Sequence, residues 1–118
     1  MALSFAAGDD LVFQMESGFG LMRVLGSEGE GRDAVWHVRV YYEFYPDVEA
    51  AEAALASGRA LDVREPHLAL TEHAFEKTPA ARLANRPVSE EETGALARWR
   101  REGGAVHDRS LLLMLGMR

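Results

Sequence analysis

The chain has 118 residues, 47% of them apolar and 27% charged, with a formal net charge of −6 and no cysteine. That length supplies one hydrophobic core, hence a single domain over residues 1–118, and the composition excludes a disordered chain. The missing cysteines exclude disulfides, thiolate metal sites and thiol nucleophiles, while the acidic balance argues against a phosphate backbone or an anionic membrane surface as partner.

The charge is unevenly placed. Residues 1–59 carry four arginines against ten acids, whereas residues 60–118 carry nine basic and nine acidic groups, so the N-terminal half holds the whole surplus and would suit a basic partner. The opening MALSFAAGDD has no basic segment followed by a long apolar one, and the longest purely apolar run, Leu111–Leu115, is far short of the ~20 residues that span a bilayer. A cytoplasmic location is expected. Twelve arginines against the single Lys77 fit a GC-rich, bacterial coding genome.

In chain order, Leu11–Met15 reads as a strand with Leu11, Phe13 and Met15 on one face, Glu16-Ser17-Gly18 turns, and Phe19–Leu25 resumes, which predicts a β-hairpin with a positive φ at Gly18. Gly20, inside the second strand, predicts a bulge or the close approach of another backbone. Gly26–Asp33 is polar and glycine-rich and reads as a loop. Val35–Tyr45 then alternates over eleven residues: Trp36, Val38, Val40, Tyr42 and Phe44 share one face, and His37, Arg39, Tyr41, Glu43 and Tyr45 the other. The first face is expected in the core and the second in solvent.

Pro46-Asp47 stops that strand, and Asp47 is placed to cap an alanine-rich helix from Val48 to Ser57, with Val48, Ala51 and Leu55 buried and Gly58 as its end. Ala60–Val63 and Leu68–Leu70 read as two short strands on either side of an Arg64-Glu65-Pro66 corner. Thr71 caps a short helix through Phe75, and Thr78-Pro79 opens one or two helical turns over Ala80–Ala84. Ser89-Glu90-Glu91-Glu92 is a capping box for a helix ending at Gly103-Gly104, with Leu96 and Trp99 inward and Arg98, Arg100 and Arg101 complementing its C-terminal end. The tail ends in an apolar stretch capped by Asp108 or Ser110, read as a helix that packs on the sheet or across a subunit interface.

The segment Gly8-Asp9-Asp10-Leu11-Val12-Phe13, a turn, and Gly18-Phe19-Gly20-Leu21-Met22-Arg23-Val24-Leu25 resembles the first hairpin of small SH3-like barrels, and some bacterial toxin-immunity proteins open in a similar way. The likeness covers about a fifth of the chain, implies a small curved sheet, and brings no functional residue with it.

No reaction is spelled out by the residue pattern. The four histidines have no H-x-x-x-H or H-E-x-x-H spacing: His67 and His73 are separated by a strand-to-helix break, and His37 and His107 stand apart, so no metal site is expected. No serine lies in a G-x-S-x-G turn, and Gly26–Gly31 lacks the Gly-Lys-Ser/Thr of a phosphate loop. What remains is the polar row His37, Arg39, Tyr41, Glu43 and Tyr45, which can hold a partner's side chains or a small polar ligand, or can be satisfied by cross-strand pairs.

These readings give an α+β fold: a small, strongly bent antiparallel sheet of four or five strands, SH3-like or a partly open barrel, covered on one face by two to four short C-terminal helices and open on the other. The function expected is a non-catalytic protein-binding or regulatory module that needs no cofactor and acts through a protein partner or by homodimerisation. The alternative is a small-molecule enzyme or ligand carrier, with a pocket between sheet and helices using His37, Tyr41 and Glu43. Nucleic-acid binding through Arg98, Arg100 and Arg101 ranks third.

Overall fold

The computed structural model describes residues 5–116. The fold is α+β, built on one antiparallel five-stranded sheet that does not close. Strands β1 (Asp9–Met15), β2 (Gly18–Glu28), β3 (Val35–Tyr45) and β4 (Val63–Thr71) form a meander, and β5 (Ala80–Asn85) returns to the free edge of β1, giving the order β4-β3-β2-β1-β5. The helices are α1 (Val48–Ala56), α2 (Glu72–Glu76), α3 (Glu90–Arg101) and α4 (Leu111–Met114).

The hairpin and the long strand form as their alternation requires, with Met15 paired to Gly18 and Phe13 to Gly20. Gly18 adopts a φ of 153°, and a Cβ there would sit 2.7 Å from the Tyr45 carbonyl oxygen. At Gly20 the expected irregularity occurs, but the atoms that approach it belong to a side chain and not to another backbone. The β2–β3 register slips between Gly20 and Met22, and a Cβ on Gly20 would lie 2.5 Å from Cζ of Phe13, whose ring is buried. Gly20→Ala must therefore push a core ring aside, at a cost of about 1–3 kcal/mol. In denaturant unfolding, Phe13→Leu in the same chain should return part of that loss; equal losses in both backgrounds would mean that the ring is not what Gly20 accommodates.

Capping follows the sequence closely. Asp47 accepts from the Ala50 N–H at 2.7 Å, Thr71 from that of Ala74 at 3.1 Å, and Ser89 and Glu92 exchange both bonds of a capping box. Three expectations are corrected. Residues 63–71 form one strand across Pro66, because the extra residue of a register slip opposite Val38–Val40 absorbs the corner, while Ala60–Asp62 stays outside it. Ala80–Asn85 is a strand: the open edge of β1 supplies a ladder that a two-turn alanine-rich helix could not match. Part of the expected Gly26–Asp33 loop is likewise taken up, since β2 runs on to Glu28 before a single 3-10 turn at Gly31–Asp33.

The largest correction concerns the faces. Trp36, Val38 and Val40 pack with Leu11, Phe13, Met22 and Val24 under Ala74 and Phe75 of α2, Leu111 of α4 and Leu115 just after it. The opposite face is covered as well: Tyr41, Tyr45, Val12 and Leu21 pack under Ala51 and Ala54 of α1, and α3 lies over Arg23, His37 and Arg39. Each set of helices thus takes one side of the sheet. Val48 is exposed and Leu55 only half-buried, so Ala51 and Ala54 make the α1 contact; in α3 the buried residues are Glu92 and Ala95, with Leu96 and Trp99 half-buried. Tyr42 and Phe44, expected in the core, are 55% and 48% exposed, because β3 continues beyond the helices that cover its Trp36 face. Met117 and Arg118, the end of the expected apolar tail, lie outside the described residues. Among the described residues no helix is long and apolar enough to cross a membrane.

Candidate functional site

The polar row of β3 lies beneath helices and divides into separate environments. His37, Arg39, Tyr41 and Tyr45 are buried and Glu43 is half-buried. Tyr45 donates to Glu43 at 3.3 Å, and Glu43 is held by Arg59 in a two-pronged pair of 2.9 and 2.6 Å. The Arg59 hydrogen bond keeps the Glu43 carboxyl below its ordinary range. Burial, followed by the Glu43 charge, raises the Tyr45 phenol.

Beside this row sits a buried ion network that the sequence does not announce. Arg23, in β2, donates to Glu92 at 2.6 and 3.3 Å, to Asp10 at 3.4 Å, and to the carbonyls of Gly8, Arg86 and Pro87 at 2.8–2.9 Å. Arg86 reaches Asp10 through two bonds of 2.7 and 2.9 Å. Because Glu92 also closes the capping box, a single carboxylate both starts α3 and ties it to the sheet. Burial works against ionisation of Glu92, but hydrogen bonds from Arg23 and the Ser89 N–H outweigh it and hold its pKa down. Asp9, also buried, is kept below its usual range in the same way, by Asn85, the Ala6 N–H and Arg82 against the burial penalty.

Antiparallel pairing of β3 with β4 brings together two histidines thirty residues apart. His37 Nδ1 and His67 Nε2 are 2.8 Å from each other, so one nitrogen carries the shared hydrogen and the other accepts it. The Trp99 indole lies edge-on to both rings, with centroids 4.6 and 5.7 Å away. The second His37 nitrogen is buried 3.8 Å from the Glu28 carboxylate, which itself pairs with Arg100. Burial depresses the His37 pKa, and burial with the neighbouring His37 and Arg39 brings His67 down to about 4. The expectation that His37 stands apart is thereby corrected. Residue spacing could not reveal the pair, because it depends on the β3–β4 register. Two nitrogens already bonded to each other fall short of the three or four donors of a zinc site, and no group of three or more His, Asp or Glu converges among the described residues.

Two cavities border these groups. The first, of about 180 Å³, lies between the sheet, the end of α1 and the linker after β5. Leu55, Leu61 and Val63 give it apolar walls, and Arg39, Tyr41, Arg59 and Arg86 its polar ones. The second, of about 230 Å³, is bounded by Pro66, His67, Ala95, Arg98, Trp99 and Glu102. Arg39 stands between them, donating from Nε to the Pro66 carbonyl at 3.0 Å and pairing with Glu91 at 2.9 Å. Of the arginines at the end of α3, Arg100 is bound to Glu28 and Arg98 lines the second cavity.

Comparison with protein-family models, curated proteins and solved structures gave no match. The site is therefore read from its own chemistry. Of the expected row, Arg39 and Tyr41 line the first cavity, Glu43 orients Arg59 at its mouth, Tyr45 steadies Glu43, and His37 belongs to the histidine pair. Arg59 and Arg86, which complete the cavity, carry no distinguishing sequence signal; they come from the loop after α1 and the linker after β5.

Proposed function

We propose that this chain is a small-ligand-binding domain whose site is the cavity between the sheet and the α1 end, with a binding rather than a catalytic role. The observation that carries this reading is the convergence of Arg39, Tyr41, Arg59 and Arg86 from three places in the chain onto one space walled by Leu55, Leu61 and Val63. Ligand sites combine an apolar lining with a few convergent polar groups in this way. A strongly bent, SH3-like or partly open barrel curvature belongs to the same proposal, since a bent sheet lets α1 and the 85–88 linker reach over one face and leave a space between them. The test is protein-observed NMR of the full chain against a library of small fragments, in the native sequence and in Leu61→Trp, which fills the cavity. Hits that shift Tyr41 and Val63 and vanish in the Trp variant support the reading; hits unaffected by the substitution place binding elsewhere.

A second reading, a protein-binding or regulatory module in the cytoplasm that docks a basic partner or a second copy, is favoured by the adjacent exposed rings of Tyr42 and Phe44 at the end of β3. Size-exclusion chromatography with light scattering, on the native chain and on Tyr42→Ser/Phe44→Ser, tests self-association. A monomer at all concentrations removes the homodimer.

A further inference from the structure

Resting on the ligand-binding reading, we infer that the cavity beside Arg39 takes a small organic acid, its oxyanion against the arginines and its short apolar body against Leu55, Leu61 and Val63. The argument begins with Arg39. Its side chain is 8% exposed, so its charge has lost most of its hydration, yet its anionic partner Glu91 is 74% exposed. Apart from one bond to the Pro66 carbonyl, this buried guanidinium relies on a solvated carboxylate at the rim, which compensates a desolvated charge weakly. A second anion inside the cavity would supply what Glu91 does not.

The other two arginines are arranged to help. Arg59 and Arg86 are each fixed by a two-pronged pair, to Glu43 and Asp10 respectively, which orients the guanidinium and uses two of its five N–H donors. The remaining donors on these fixed planes suit a planar oxyanion. Tyr41 is kept protonated, since burial raises its phenol, and so it adds a neutral O–H where a second carboxylate would repel the ligand. The size of the space selects the ligand as well. A cavity of about 150 Å³ holds a benzene molecule, so 180 Å³ admits a ring or a short aliphatic chain bearing one carboxylate.

The experiment compares benzoate, its neutral amide benzamide, and inorganic phosphate by NMR titration of the full chain. Benzoate is expected to bind at least about tenfold more tightly than benzamide, to weaken with added salt, and to shift Arg39, Tyr41 and Arg59 resonances. Arg39→Gln should abolish the preference for acid over amide. Should Arg39→Gln fail to fold, Arg59→Gln, at a half-exposed residue, should reduce the preference severalfold, and Arg98→Gln in the other cavity should leave it unchanged. Benzamide bound as tightly as benzoate overturns the acid and leaves the cavity reading standing. No binding by either, together with no fragment hits, overturns both. Phosphate bound more tightly than benzoate overturns the organic body in favour of a bare oxyanion.

Discussion

Arg23→Met is expected to be the most damaging single substitution in the protein, lowering the free energy of unfolding by about 3–5 kcal/mol, a large part of the 5–15 kcal/mol available to a domain. Arg23 is 3% exposed and serves two carboxylates and three carbonyls. Methionine fills similar space but leaves Glu92 without its principal cation and three carbonyls without donors. The loss should extend to α3, since Glu92 holds the capping box and the sheet contact together. Arg23→Lys should recover little, because one ammonium cannot reach five acceptors placed around a fork. In urea unfolding, the double variant Arg23→Met/Glu92→Met should be less destabilised than the sum of its parts, the signature of a coupled pair. A loss below about 1 kcal/mol for Arg23→Met would show that the network does not hold the fold.

Acidification should unfold the protein in two separable stages, the first from the histidine pair. His67 has a folded pKa of about 4 against an ordinary 6.5, and His37 is also lowered. A depressed histidine pKa means that the unfolded chain binds more protons, so stability is full above about pH 6.5 and falls as the pH drops toward 4. For His67 the whole interval amounts to about 3 kcal/mol. Protonating both rings would also replace a 2.8 Å hydrogen bond with two facing cations, with Arg39 nearby and Arg100 beside Glu28, and Glu28 as the compensating acid. The second stage follows at lower pH, because Asp9 and Glu92 have pKa values held below their usual range and contribute until they are protonated. Urea unfolding of the native chain at pH 7 and pH 5 should show the first loss. His67→Gln should flatten the dependence above pH 4. An unchanged slope in that variant would assign the titration to other groups.

Local features were legible in the sequence because short-range physics decides them. The alternation at 35–45 gave the strand with its observed ends, and Asp47, Thr71, Ser89 and Ser110 all cap the helices that follow them. Gly20 signalled the register slip that occurs there, though its close neighbour is the Phe13 ring and not a backbone. The errors share one cause. Ala80–Asn85 has helical composition yet pairs as a strand, and Pro66 marks a corner that β4 runs through, because an unpaired strand edge or a bulge elsewhere in the sheet outweighs a local preference.

Alternation along β3 likewise separates two faces without saying which is wet. A face bearing histidine, arginine and glutamate reads as solvent-exposed until partners from distant segments are in place to neutralise it. Those partners are Glu91 for Arg39, Arg59 for Glu43 and His67 for His37. The apparent segregation of charge dissolves for the same reason, since Asp9 and Asp10 of the acidic half are buried against Arg82 and Arg86 of the other. The sequence by itself determined the class of fold, the central strand and the starts of α1, α2 and α3, all set by periodicities and caps that act within a few residues. Only the tertiary structure decided that both sheet faces are covered, that two histidines meet, and that four polar side chains surround one cavity. Those outcomes depend on strand register and on charge pairs 16 to 76 residues apart, which leave no periodic trace along the chain.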